Sequence, residues 1–563
     1  MGKNKLGFIA LSIASILSSF HTNASENIII DNSKKRDLAV EIKNGVEHIN
    51  IEKANEKGIS HNYYQKFNVS EKGVVIHNPN YLTNSAAKFI INEVTSNEKS
   101  LLNGELRVNG NNAYLMVANP NGIECNGCSF SGTQQQLLVT GKIKLINNEE
   151  STTLPQGDTI EYKNGDLKIN SLAGGKIVFS NSVKPVHDRG VLTLITNEIV
   201  FSDGNLEGKI LKTIIGNNEI KFSPKNHNSY ESYVEYNFAP NQQIPANYSL
   251  IRKGKDDKMD LYRVAAYPDY DHSVTGHLGQ QKNSPYAGFV INEKASVKFD
   301  GLSITQTGDS RVINRGQLNA KRFYANVDNE IINVRDAKLM IGEKRNDKYE
   351  NKNLHKSFIK SKLLKFDHAS FNISNTEIKF DNNEFDSLNS EINLKNSIVN
   401  MNSKKFSNED NYRKNDQHHI DAKHSYGFIS LDNTKLVIKG NEVVNKAAVT
   451  GDGRLEINAV SYTGRKNIKI EGQKTTKIGQ STIKKNGVVN IKAKELLDTY
   501  GSKIAASNGL IIDTQQLKSK DGDIKIINKN IKPVVHLAEL ANENWKFADS
   551  KKIELRWKQL NRK

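Results

Sequence analysis

The sequence predicts an all-β chain wound into a parallel β-helix. Three observations carry that expectation. Short apolar alternations such as Val74-Val75-Ile76, Leu106-Arg107-Val108, Lys142-Ile143-Lys144-Leu145, Leu167-Lys168-Ile169 and Lys176-Ile177-Val178-Phe179 recur along the chain, each bounded by Asn, Gly or Asp, which is a strand signature. Helical periodicity is scarce, and with only 10 prolines the reversals fall to Asn, Gly and Asp. Near the C-terminus Ile470, Ile491 and Ile512 sit at successive steps of 21 residues within similar strand words. A fixed step of about 20 residues is the mark of a solenoid, in which each coil stacks on its predecessor through backbone hydrogen bonds. Leu455-Glu456-Ile457 precedes the first of these strands by a shorter gap, so an irregular coil is expected there.

In chain order, residues 1–25 read as a secretory signal. Lys3 and Lys5 form a charged start, Leu6 to Leu17 is an apolar run, and Thr22-Asn23-Ala24-Ser25 offers small residues for cleavage. The apolar run is too short for a membrane span, which needs about 20 residues. Hydrophobic content of 37% and a net charge of +17 spread over 563 residues argue against disorder driven by charge. Lysine and asparagine crowd the whole chain without a compact basic patch, so nucleic acid is not an expected partner. Residues 344–362 and 404–424 are polar and lysine-rich with little alternation. They are expected as loops extruded from the coil, with strands resuming at Asn372-Ile373-Ser374, Ile392-Asn393-Leu394 and Ile398-Val399-Asn400. The segment from Trp545 to Lys558, with both tryptophans, is expected to cap the last coil, with an amphipathic contact segment as the alternative.

The most pointed stretch is Asn119-Pro120-Asn121-Gly122-Ile123-Glu124-Cys125-Asn126-Gly127-Cys128. Asn-Pro and Asn-Gly are strong turn formers, and apolar strands flank them at Ala113 to Val117 and Leu137 to Val139. Asn78-Pro79-Asn80 echoes the motif, preceded by Gly58-Ile59-Ser60-His61-Asn62-Tyr63 and Phe67-Asn68-Val69. These four words, in this order, resemble the secretion domain of the two-partner exoproteins, the filamentous haemagglutinin and haemolysin family. The resemblance covers residues 26–270, leaving 271–563 as continuing coils. It implies a right-handed parallel β-helix with an N-terminal capping region, and a TpsB-type β-barrel transporter of the outer membrane as partner. It also implies a secretion role for Asn62, Asn68, Asn78, Pro79, Asn80, Asn119, Pro120, Asn121 and Gly122, either by shaping turns or by contacting the transporter. The cysteine-bearing motif is similar to that of the haemolysin and contact-dependent-inhibition branch.

Cys125 and Cys128 are the only cysteines. In an exported chain thiols oxidise, and positions i and i+3 of a turn can approach within disulfide range. A structural disulfide is the favoured reading, with free thiols as the alternative. One Cys-x-x-Cys is too few ligands for zinc. His418, His419, Asp421 and His424 are metal-ligand types, but Lys414 and Lys423 beside them favour a solvated loop. His272 and His277 lack a nucleophile motif nearby. Neither a metal, a cofactor nor an enzymatic activity is expected. The leading functional expectation is a secreted or surface-held adhesin or haemagglutinin that engages host-cell or bacterial surfaces. The alternatives are a haemolysin and a shortened contact-dependent inhibition protein, although the Val-Glu-Asn-Asn junction of that last group is missing from the sequence.

Overall fold

The computed structural model describes residues 25–34, 37–78, 86–153, 159–171, 175–181, 190–216, 218–224, 270–277, 288–334, 336–343, 354–409, 427–464, 480–498, 503–506, 508–518, 523–526, 534–537, 539–540 and 554–557. Nearly every long strand among them pairs in parallel with a strand about one coil away. Ser296 lies beside Gln317 and Gln317 beside Lys338; Ser370 lies beside Glu391, Glu377 beside Ile398 and Ile491 beside Ile512. Each of these steps is 21 residues. The right-handed coil is the sense that parallel crossover connections adopt almost without exception.

Alternation within each strand builds a narrow core. Gln317–Val327 buries Leu318, Ala320, Phe323, Ala325 and Val327 and turns the residues between them outward. Because coils stack in register, like side chains meet like. Phe385 lies over Phe406 with ring centroids 5.0 Å apart and planes 7° from parallel. Phe366 stacks on Phe371 at 4.7 Å, and Phe385 also meets Phe366 and Phe380.

The coil corners use asparagine for a specific reason. Asn375, Asn389, Asn396 and Asn433 have φ between 46° and 51°, and His368 and Asp336 join them at 52° and 65°. This left-handed region is open mainly to glycine, asparagine and aspartate. The corner residues stack too: Asn389 Nδ2 is 3.2 Å from His368 Nε2, and Asn433 Nδ2 donates to Asn396 Oδ1 at 3.1 Å.

The N-terminal end is capped by antiparallel pairing. Ile28–Ile30 runs antiparallel along Ile59–Phe67. Ala39–Lys43 and Val46–Asn50 form a hairpin closed by Asn44-Gly45, both at positive φ, as a two-residue hairpin turn requires.

Several sequence expectations are corrected. Lys142–Leu145 and Leu167–Asn170 are not coil strands. With Asn218–Pro224 and Tyr270–His277 they form an antiparallel sheet laid on the outer face of the helix. Leu167, Ile169, Ile220 and Phe222 pack there against Phe89, Ile91, Tyr114, Met116, Leu137 and Val139 in a second core. This is why Phe89–Val94 and Ala113–Ala118 are buried on both faces and read as continuous apolar runs rather than alternations. Residues 355–362 and 404–409, expected within loops, belong to the strands His355–Asp367 and Ile398–Glu409. Their lysines are the outward members of a strand whose inward members, Ile359, Leu364 and Phe406, are buried. The strand beneath Ile491 carries Ile457, not Ile470; Ile470 lies outside the described residues, and the register shifts near Asp452 and Ala459 mark the irregular coil. The parallel ladder continues from Gly204–Ile215 to Ala295–Gln306. Glu554–Trp557 adds one more parallel strand onto Val534–Leu537.

Phe385 is held among three other rings, and its truncation leaves a cavity that stacked backbones cannot close. Phe385→Ala is expected to cost about 3–5 kcal/mol of stability, measured by chemical denaturation.

Candidate functional site

The asparagines singled out in the sequence converge on the corners of the first coils. Asn119 is fully buried. Its Nδ2 donates to the Glu98 carbonyl and to Ser100 Oγ, both at 2.9 Å. Its Oδ1 accepts the Asn121 backbone N–H at 2.9 Å and Asn121 Nδ2 at 3.1 Å. The Gly122 N–H returns to the Asn119 carbonyl at 3.1 Å, closing a turn. Pro120 occupies the position whose φ it fixes, and Gly122 takes φ 121°. Asn121 Nδ2 donates in turn to the Ser96 carbonyl at 2.7 Å. One side chain thus ties its own turn to the coil beneath it.

Asn78 repeats the device. It is 2% exposed, its Nδ2 donates to the carbonyls of Ala87 and Asn111, and its Oδ1 accepts the Ala87 N–H, all at 2.8 Å. Pro79 and Asn80 lie outside the described residues. Asn62, also fully buried, accepts the Glu52 N–H at 2.8 Å and donates to the Ile91 carbonyl at 3.1 Å. Asn68 accepts the Leu101 N–H at 2.9 Å. Each side chain supplies hydrogen bonds to backbone groups that a bending strand leaves without ladder partners.

The sequence did not point to four further contributors. Asn92 lies in register with Asn62 and accepts the Tyr64 hydroxyl at 3.1 Å; burial pushes the Tyr64 phenol above its ordinary pKa. Ser96 and Ser100 receive the Asn121 and Asn119 amides. Glu52 orders the cap by accepting the Leu38 N–H at 2.9 Å. The sequence signal for Asn92 was only that a polar residue interrupts an otherwise apolar strand; Glu52 and Ser96 lie between strands and carried none.

Cys125 and Cys128 are bonded to each other, with Cα atoms 5.1 Å apart. Gly127 between them adopts φ 72°. Both sulfurs are buried within the main core, beside strands Ser100–Leu102 and Lys176–Ser180. His418, His419, Asp421 and His424 lie outside the described residues. His272 and His277 fall on the outer antiparallel sheet, opposite Phe222 and Asn218. Among the described residues there is no group of three or more His, Cys, Asp or Glu placed to hold a metal ion, and no helix long and apolar enough to cross a membrane.

Residues 26–252 match the family model of the TPS secretion domain. A tRNA nuclease CdiA of Yersinia mollaretii is 35% identical over 195 residues, 31% of this chain and 6% of that protein. A Hemolysin of Proteus mirabilis is 32% identical over 228 residues, 38% of this chain and 13% of that protein. The chain therefore matches only a small part of the length of these curated relatives. The crystal structure of a filamentous hemagglutinin secretion domain aligns with 67% of this chain and 93% of its own at 14% identity and a TM-score of 0.33.

Two outcomes follow from the geometry. Asn119→Ala strips partners from the Glu98 carbonyl, Ser100 and the Asn121 amide, and is expected to destabilise the purified chain by about 1–3 kcal/mol. Asn121→Ala removes fewer buried bonds and should cost less; equilibrium denaturation of both variants checks the order. Reduction of the Cys125–Cys128 bond opens only a very short loop, so little chain entropy is released. Far-UV circular dichroism and the melting temperature should stay close to those of the oxidised protein.

Proposed function

We propose that this chain, a two-partner secretion exoprotein whose secretion domain occupies residues 26–252, is exported through a dedicated outer-membrane β-barrel transporter and then acts as a non-enzymatic adhesin. The family match over residues 26–252 carries the export reading. The fold makes physical sense of it. A chain that folds by adding coils can begin at its capped N-terminal end, and each coil completed outside buries the face of the one before. That favours continued outward movement and opposes return.

The secretion motif acts, in this reading, at that first step. Asn62, Asn78 and Asn119 are buried once folded, so a transporter can meet them only before folding. Their folded role is to lock the first coils, and that locking starts the stack. Pro120, Asn121 and Gly122 belong to the turn that Asn119 closes, and Pro79 and Asn80 are assigned the same secretion role from the sequence motif alone.

The adhesin assignment rests on the shape of the chain. Stacked coils present outward Lys, Glu, Asp and Asn side chains in register, such as Glu384, Lys405 and Glu442 on successive strands, a polar surface suited to repeated weak contacts with another cell. A haemolysin is the second reading, favoured by the 32% identity to the Proteus mirabilis Hemolysin and by the cysteine-bearing motif.

The test is co-expression with the cognate transporter in a Gram-negative host. The full chain should reach the medium or the cell surface, and a chain lacking residues 26–252 should remain in the periplasm. Equal export of both would refute the reading. Exported protein is then assayed for binding to host cells and for lysis of erythrocytes. Binding without lysis supports the adhesin, and lysis supports the haemolysin.

A further inference from the structure

Ala39–Lys43, Val46–Asn50, Val74–Asn78, Glu105–Gly110 and Ser129–Ser131 form one sheet beside the N-terminal cap, and on its outer face a histidine of the cap hairpin meets one of the following coil. His48 lies on Val46–Asn50 and His77 on Val74–Asn78, which pair in parallel. His48 Nδ1 and His77 Nε2 are 2.8 Å apart, with ring centroids at 5.1 Å and planes inclined by 22°. Both rings are only partly buried, so solvent ions can reach them. We propose that this pair is a binding site for a divalent transition-metal ion, with Cu²⁺ preferred and Zn²⁺ or Ni²⁺ accepted.

Three features of the site support the assignment. The first is spacing. Two imidazole nitrogens bound to one ion at about 2.0–2.1 Å stand about 2.9 Å apart at a right angle and about 3.4 Å apart at a tetrahedral one. The observed separation is close to the right-angled value, and a turn of both rings replaces the hydrogen bond between them with lone pairs that converge on one ion. A right-angled pair of nitrogens suits the tetragonal geometry of Cu²⁺, which also heads the affinity order for such ligands.

The second is the outer support of His77. Asn109 lies beside it in register, with Nδ2 3.4 Å from His77 Nδ1. In the tautomer that carries the proton on His77 Nε2, that N–H donates to His48 Nδ1 while Nδ1 accepts from the Asn109 amide. With metal at Nε2 the proton moves to Nδ1, and the amide turns to offer its oxygen. An asparagine serves both states, and a second group of this kind fixes the ring and its tautomer.

The third is charge. Glu41 is the antiparallel partner of His48 across the hairpin. Its carboxylate is now held by Lys43 at 2.8 Å on the exposed surface. The Glu41 carboxylate offsets the Lys43 ammonium, which also stands near His77, and water completes the shell around the two imidazoles. Metal binding would then clasp the hairpin of the cap to the coil that follows it, at the end where folding is proposed to start.

The experiment is Cu²⁺ titration of the secreted full-length chain, followed by calorimetry and electron paramagnetic resonance. His418, His419 and His424 are replaced by Asn throughout, so that this histidine-rich segment does not contribute. One equivalent of Cu²⁺ with nitrogen couplings from two imidazoles is expected. His48→Asn and His77→Asn should each weaken that binding at least tenfold while leaving the far-UV spectrum unchanged. Glu41→Gln should weaken it less. Retention of affinity within twofold in either histidine variant, or a spectrum showing a single imidazole, would overturn the site and leave the pair as a plain hydrogen bond between rings.

Discussion

Everything in this molecule depends on the parallel backbone ladder that joins each coil to the next. Each coil's backbone polar groups must be satisfied by its neighbours. The ladder fixes register, and register decides what every side chain meets. Stacked phenylalanines at Phe385 and Phe406 and stacked amides at Asn408 and Asn445 follow from it. So does the alternation that separates core from surface along each strand.

The ladder has two weak places, the corners and the first coil. Corners need backbone conformations that most residues resist, and the chain answers with asparagine at positive φ. In the first coils the side-chain amides of Asn62, Asn78 and Asn119 bond to backbone groups. The same residues that resemble a secretion signal therefore have a folded role that is plain in physical terms.

Much of the fold was legible in the sequence because strand alternation and the 21-residue step are local or periodic. Ile491 and Ile512 are indeed coil neighbours. The step failed where chain is inserted between coils. Lys338 pairs with Ser370, Ile398 with Lys435 and Leu206 with Val297, and no count of residues reveals where the ladder resumes. The outer antiparallel sheet was missed for a related reason. Lys142–Leu145 alternates like any coil strand, and only its long-range partners distinguish it. At the candidate site the Asn-Pro-Asn-Gly words stood out as turns, but Asn92, Ser96 and Ser100 did not. A polar residue in an apolar strand says that a partner exists without saying where. The richness in asparagine, which has a bland compositional explanation, also has a structural one at the corners.

The claim that register outranks sequence spacing is tested most directly by paired cysteine substitution across an insertion. Lys405 and Glu442 are exposed and lie in register on adjacent coils although 37 residues separate them. Neighbouring Cα atoms in a parallel ladder, at about 4.8 Å, fall within disulfide range. The protein carrying Lys405→Cys with Glu442→Cys should form a new intramolecular disulfide readily under mild oxidation, mapped by peptide mass spectrometry. A control carrying Gln317→Cys with Lys360→Cys, two positions that are not ladder partners, should not. Failure of the first pair to cross-link, or equal cross-linking of the control, would contradict the stacked-coil account.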